Sequence, residues 1–200
     1  MENEIKFREK TEKKEENKEK YMIDQNDLVA GSMVDFGDKE INELCEVFKN
    51  SWDASWLYDD MQEFVKEMIE NPENIIIVLK DGDRIVGSAI LRPHNDVVDE
   101  IIEDDPEITP DDRRYYIETL GIRSDYQGKK GGFKKIVNSL INEVLKRGTN
   151  KFSMHARIST GLAGFILREF KGMITKQRKI EKWKYYGGNE PTLYIEGTFK

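Results

Sequence analysis

The chain has 200 residues, 38% of them apolar and 36% charged, with a formal net charge of -7. Such a length normally folds as one domain with a real core, and an acidic balance argues against a protein that coats nucleic acid, which needs a basic face. A lone cysteine, Cys45, excludes an internal disulfide, and no apolar run approaches the ~20 residues of a membrane span.

Residues 2–20, ENEIKFREKTEKKEENKEK, are nearly all charged or polar. They cannot bury enough apolar surface to offset the entropy of ordering. Either disorder or a solvated helix laced with Glu–Lys pairs fits them. The charged start is not a secretory signal, so the cytoplasm is the expected location. The domain organisation read from the chain is a charged segment over 1–20 and a single domain over 21–200.

Met33, Val34 and Phe36 suggest a first strand over 31–37, ending at Gly37-Asp38, with Asp38 as a helix N-cap. Ile41, Leu44, Cys45 and Phe48 then follow helical spacing, which makes Cys45 a buried structural thiol. Met61, Phe64, Val65, Met68 and Ile69 form a second helical stripe, and Asn71-Pro72 stops it. The period then changes. Ile75 to Leu79 and Arg84 to Leu91, joined at Asp81-Gly82, predict a β-hairpin. Residues 95–113 read as acidic and irregular. A strand follows over 114–122, and then a helix over about 131–147 with Phe133, Ile136, Val137, Leu140, Ile141, Val144 and Leu145 on one face. Lys151–Ala156 is a strand, and Thr160–Phe170 a helix. Ile180–Tyr186 and Thr192–Phe199 close the chain as an antiparallel pair around the turn 187–191. The order β-α-α-β-β-β-α-β-α-β-β predicts a mixed sheet with helices on both faces. His94 and His155 lack metal-site spacing, and no metal is expected.

The stretch Tyr115 to Gly132, YYIETLGIRSDYQGKKGG, runs a strand into a Gly/Lys-rich turn that opens an amphipathic helix. The first amides of a helix lack intrahelical acceptors and carry partial positive charge. Glycines let such a backbone approach an anion closely, and a pyrophosphate is a matching ligand. An ordinary strand–helix turn with solvated lysines fits the same residues. Neither the P-loop nor the Rossmann glycine spacing is present.

The element order together with ETLGIRSDYQGKKGG resembles the GNAT N-acetyltransferase superfamily, over roughly residues 31–199. The family's signature is a strand ending in an apolar residue, then Gln or Arg, two residues, Gly, one residue and Gly or Ala opening a long helix. The resemblance implies an α/β fold built on a mixed, mostly antiparallel six- to seven-stranded sheet. It implies acetyl-CoA as cofactor, its pyrophosphate held by the turn's amides and its thioester polarised at a bulge in the preceding strand. Carried over, Leu120, Gly121 and Ile122 face the acyl and pantetheine groups. Gln127, Gly128, Lys129, Lys130, Gly131, Gly132 and Phe133 form the phosphate turn. Gln127 stands at the motif's first position and Gly132 at its last glycine, with Lys130 where the family usually has glycine. A shift of one residue instead places Gly131 at the first glycine and Phe133 at the last position. The tyrosine that often serves the family as general acid is missing from Leu167–Met173, so another group or solvent must protonate the leaving thiolate.

The chemistry needs a base for the attacking amine. Glu118, mid-strand before the turn, is the candidate, and an ion pair with an arginine across the sheet is its structural alternative. Tyr116 and His155 are candidates to orient substrate or move protons, with core packing as the bland alternative for each. The acids over 95–112 would attract a cationic amine or form a solvated loop. Trp52, Trp56, Tyr58 and Phe64 line the substrate side or belong to the core. The function implied is transfer of acetyl to a primary amine, small-molecule or peptide, in a ternary complex. A non-catalytic GNAT-like module that binds CoA or a partner is the other reading. Oligomeric state stays open, a homodimer included.

Overall fold

A computed structural model describes residues 28–52, 60–128, 131–184 and 190–200. The charged segment 1–20, Trp56, Tyr58, Lys129, Lys130 and the turn residues 187–189 lie outside the described residues. The strands are β1 (Leu28–Ser32), β2 (Ile75–Asp81), β3 (Arg84–Pro93), β4 (Arg114–Ile122), β5 (Lys151–Arg157), β6 (Ile174–Trp183) and β7 (Glu190–Thr198). The helices are α1 (Asp38–Ser51), α2 (Met61–Glu70), α3 (His94–Ile101), α4 (Gly132–Lys146) and α5 (Leu162–Glu169). One seven-stranded sheet runs in the order β1-β2-β3-β4-β5-β7-β6. Every neighbouring pair is antiparallel except β4 and β5. This is the mixed, mostly antiparallel α/β sheet expected of the chain.

Alternation along β2 shows how the layers form. Ile75, Ile77 and Leu79 point to one face, with Ile136, Val137, Leu140 and Val144 of α4 and Ile166 of α5. Ile76 and Val78 point to the other, with Leu44, Val47 and Phe48 of α1 and Phe64, Val65 and Met68 of α2. A strand buried on both sides must be apolar at every position, which is why the β-branched run 75–79 has no polar residue. Cys45 is buried in the α1–α2 cluster and its thiol donates to the Met61 carbonyl at 3.7 Å. Burial pushes that thiol up from its usual value, so it is the inert structural group its spacing suggested.

Several local expectations are corrected, among them that of β6, which begins at Ile174 and not at Ile180. The first strand is Leu28–Ser32, not 31–37. Leu28 and Ala30 turn their carbonyls to α4, where Lys135 Nζ and Ser139 Oγ donate to them at 2.7 and 3.0 Å. Met33 and Phe36 pack instead on the α1–α2 cluster. The N-cap of α1 is Gly37, whose N–H donates to Glu40 at 3.1 Å, and Asp38 is the helix's first residue. The acidic stretch 95–113 is not irregular throughout. It contains α3, whose Val97, Val98 and Ile101 are buried with Ile108, Tyr116, Ile180, Trp183 and Tyr194 in a third cluster. The acids of α3 occupy its outer side, and a two-turn helix gives too short a stripe for its period to stand out from them.

Candidate active site

β4 and β5 pair in parallel only over Arg114↔Lys151, Tyr115↔Phe152 and Tyr116↔Ser153. Beyond that point the ladder stops while both strands continue, so they diverge as a fork. On the other side of β4, Ile90 of β3 faces Thr119 and Leu91 faces Ile117. Glu118 is therefore the extra residue of a β-bulge, set two positions past the fork. The Thr119 hydroxyl accepts from the Ile90 N–H at 3.2 Å and closes the bulge.

The bulge splits the roles of Glu118. Its side chain is only 1% exposed and meets Arg92 Nη1 at 3.4 Å, whereas the residue as a whole is half-buried. The exposed part is thus its main chain, and bulged backbone lies open toward the fork. Arg92, the register partner of Tyr116, also holds Glu100 of α3 at 2.5 Å. Glu118 thus has an arginine partner across the sheet, on the neighbouring strand β3.

A cleft of about 530 Å³ fills the fork. Residues Ile117 to Ile122 form one wall, Met154, His155 and Arg157 of β5 face them, and Ser51 and Trp52 at the end of α1 close one side. Gln127 and Gly128 of the turn, Phe133 of α4, and Thr160, Gly161, Leu162 and Phe165 at the start of α5 complete it. Glu118 is the only acidic residue among the described residues lining it. Arg157 is ion-paired with Glu190 at 2.9 Å, and its side chain is 5% exposed.

The turn after β4 is shaped by two left-handed glycines. Gly128 has φ +70° and Gly131, the N-cap of α4, φ +66°, and a Cβ at either would meet nothing within 4 Å. The backbone is open there. The first helical bond of α4 runs from Lys135 N–H to Gly131 O at 3.0 Å, so the amides of Gly132, Phe133 and Lys134 precede the ladder. The first turn of α4 carries no acidic residue and no side-chain cap. An anionic diphosphate fits this donor set. Gly132 differs from its neighbour: it is buried, and a Cβ on it would lie 2.9 Å from Leu79 Cδ2.

Behind the cleft lies a buried polar chain. His155 Nε2 is 3.1 Å from Asp105 Oδ2, and Nδ1 is 2.9 Å from the Tyr116 hydroxyl. A carboxylate can only accept, so Nε2 carries the proton and Nδ1 accepts from Tyr116 O–H. Burial pushes the His155 imidazole down to about 4, against the opposing pull of Asp105. Burial would raise the Asp105 carboxyl, but the bonds from His155 and Arg178 win and hold it below the usual carboxylate range. Trp183 stacks on the imidazole with ring centroids 4.0 Å apart. His94 sits alongside: Nε2 donates to the Thr109 carbonyl at 3.0 Å, and Nδ1 accepts from Ser153 at 2.8 Å. Burial also lowers its pKa. Neither histidine takes part in a metal-ligating group among the described residues.

Of the residues singled out in the sequence, Glu118, His155, Leu120, Gly121, Ile122, Gln127, Gly128 and Phe133 border the cleft. Tyr116 stands behind it, bonded to His155. Gly131 opens α4, and Gly132 packs into the sheet–helix core. Lys129 and Lys130 lie outside the described residues. Trp52 borders the cleft, while Phe64 is core. Arg92 was not singled out, and Asp105, expected with the other acids of 95–112 to attract a cationic amine or lie in a solvated loop, is instead buried against His155 and Arg178. A signal for Asp105 exists in hindsight of the helix, because it continues the inward stripe four residues after Ile101.

A sequence profile described as the acetyltransferase (GNAT) family matches residues 41–163. No curated protein matches the chain. Solved structures match its fold. The ribosomal-protein-S18-alanine N-acetyltransferase from Escherichia coli is 14% identical, with a TM-score of 0.57 over 86% of this chain and 93% of that one. An aminoglycoside 6'-N-acetyltransferase complexed with coenzyme A is 17% identical, with a TM-score of 0.60 over 85% and 96%. The spermidine N-acetyltransferase from Vibrio cholerae, in a dodecameric structure, is 12% identical, with a TM-score of 0.58 over 86% and 94%.

Proposed function

The chain belongs to the acetyltransferase (GNAT) family, N-acetyltransferases that use acetyl-CoA, and on that premise we propose that it moves acetyl directly to a primary amine held with the donor in one ternary complex. The observation that carries this reading is a coincidence of three features in one cleft. The end of the β4–β5 ladder, the bulge at Glu118 and the amide-rich start of α4 all open into it.

Acetyl-CoA supplies an activated thioester, and the residues of this chain do the rest. The amides between Gln127 and Phe133 bind the diphosphate, and the backbone of Leu120 to Ile122 lines the pantetheine path. Bulge backbone donors near Glu118 stabilise negative charge as it develops on the carbonyl oxygen. The amine nitrogen forms the new C–N bond, the C–S bond breaks, and the amine's proton passes through a water to the Glu118 carboxylate. His155 is a poor candidate for that proton, because both of its ring nitrogens are already engaged, one with Tyr116 and one with Asp105. With no tyrosine in Leu167–Met173, the thiolate takes its proton from solvent at the open end.

A cationic acceptor suits the chain's acidity. Asp96, Asp99, Glu100, Glu103 and Glu107 cluster on and after α3, and two of the matched structures are enzymes named for aminoglycosides and for spermidine. A cytoplasmic location fits a single buried thiol and the lack, among the described residues, of a helix able to cross a membrane. The test is a thermal shift of the purified protein with acetyl-CoA, followed by thiol release with a panel of amines. A shift with turnover on cationic amines is expected. A shift without turnover favours the non-catalytic CoA-binding module, and no shift removes both readings.

A further inference from the structure

We propose that Tyr116 and Asp105 are positioning residues that act through His155 to fix the width of the β4–β5 fork, and hence the fit of the pantetheine arm. The proposal rests on the acetyl-CoA reading of the cleft.

The backbone does not set that width. The last register pair is Tyr116↔Ser153, and past it the two walls have no ladder in common. Parallel strands without a ladder are held only by what their side chains do. Beyond the ladder a diagonal hydrogen bond links the walls: the Tyr116 hydroxyl, on the last paired residue of β4, donates across the opening to Nδ1 of His155, two residues past Ser153 on β5. Diagonal neighbours are within reach of aromatic side chains, and this bond is 2.9 Å long.

A bridge fixes a distance only if its far end is itself fixed. His155 is held on every side. Asp105 takes its Nε2 proton, Trp183 stacks on one face at 4.0 Å, and Tyr194 lies 4.9 Å away. Asp105 is in turn bonded to Arg178 of β6, whose guanidinium sits over the Tyr194 ring. Because Nε2 must donate to the carboxylate, Nδ1 is left as an acceptor, which is the one state that can receive the tyrosine proton. Asp105 therefore sets the tautomer on which the bridge depends. The charged and titratable groups around the ring are Asp105, Arg178, Tyr116, Tyr194 and, farther off, His94. The bulge that offers its backbone to the thioester begins two residues beyond the bridge.

The phosphate turn belongs to one side of the fork, since it follows β4 directly, whereas a pantetheine arm must lie between β4 and β5. Loosening the bridge should therefore weaken acetyl-CoA without weakening its nucleotide half. The experiment measures two dissociation constants by calorimetry, for acetyl-CoA and for adenosine 3'-phosphate 5'-diphosphate, in wild type and Tyr116→Phe. Phenylalanine keeps the buried ring and removes only the hydroxyl. The expected result is acetyl-CoA binding about tenfold weaker, the scale of one lost hydrogen bond, with the nucleotide half unchanged. Equal weakening of both ligands, or no change in either, overturns the proposal and leaves acetyl-CoA binding standing. Wild type that binds neither ligand overturns the cofactor reading itself. If Tyr116→Phe melts before it can be measured, Asp105→Asn decides by the same comparison, because it keeps the volume and frees the tautomer.

Discussion

Arg92 and Glu118 form one buried pair that bears on stability and on the proposed chemistry together. The carboxylate is 1% exposed and the guanidinium 11%, with Nη1 to Oε2 at 3.4 Å. Removing one member of such a pair leaves a charge in low dielectric, which costs about 3–5 kcal/mol. Arg92→Met should therefore lower the unfolding free energy by about that much in urea titrations, and a change within error would mean that water already solvates the pair. Glu118→Gln tests the other role. The amide keeps the shape and an acceptor for Arg92 but cannot take a proton. Turnover measured by thiol release should fall about a hundredfold or more, with acetyl-CoA affinity retained. Undiminished turnover would remove Glu118 from the reaction.

Among the elements, α4 was the most legible and α3 the least. The stripe Phe133, Ile136, Val137, Leu140, Ile141 and Val144 shows in the sequence because a long helix against a sheet repeats its period often enough to be counted, although Leu145, expected on the same face, is 46% exposed. α3 and β1 did not show. β1 pairs with β2 through backbone bonds to which Ala30, Gly31 and Ser32 add no apolar signal. α3 is short and sheathed in acids, so its inward Val97, Val98 and Ile101 looked like isolated residues in a loop. The candidate site divides along the same line. Strand, turn and helix are contiguous in sequence, so Gly121, Gln127 and Phe133 could be named. The Asp105–His155–Tyr116 chain joins three distant segments and could not be assembled before the sheet was. The adjacent glycines Gly131 and Gly132 make the distinction sharp, because sequence gives them one role and the backbone gives two. Gly131→Ala meets no neighbour but must hold φ +66°, at a cost of roughly 1–2 kcal/mol. Gly132→Val keeps an ordinary φ and instead puts its Cβ 2.9 Å from Leu79 Cδ2, with Leu28 and Ile122 already in contact at 3.6 and 3.7 Å, an overpacking loss of about 1–3 kcal/mol. The two should differ in ligand response. Added acetyl-CoA should recover the Gly132→Val melting point, as it raises wild type's, and recover that of Gly131→Ala less, because the left-handed Gly131 sets the direction of the amides proposed to hold the diphosphate.

At the scale of the whole molecule, a neutral His155 joins β5 to Tyr116 of β4 across the fork and a neutral His94 holds α3 to Ser153 beside it, and this makes stability depend on pH. His155 is pushed down to about 4 in the folded protein, and His94 is lowered as well. Unfolded, an imidazole titrates near 6.5. Above that pH both states hold the rings neutral and nothing is lost. As pH falls below about 6.5 the unfolded chain takes up protons that the folded one refuses, so stability declines until the folded ring itself charges near pH 4. By pH 5, His155 alone accounts for a loss of about 2 kcal/mol, and His94 adds to it in the same direction. The Asp105 carboxyl, held low by its partners, extends the decline into more acidic solution, since the unfolded carboxylate protonates first. Urea midpoints measured between pH 7.5 and 5 should therefore fall steadily with acidity, and His155→Gln should flatten that slope while starting from a lower value. The Gln amide can offer an acceptor to Tyr116 and a donor to Asp105 but has no proton to gain. A wild-type midpoint that stays level across this range would mean that the ring is charged, or reached by water, in the folded protein. A charged ring would have no lone pair left at Nδ1 for Tyr116, so the same titration also decides whether the fork is held in the way its geometry implies.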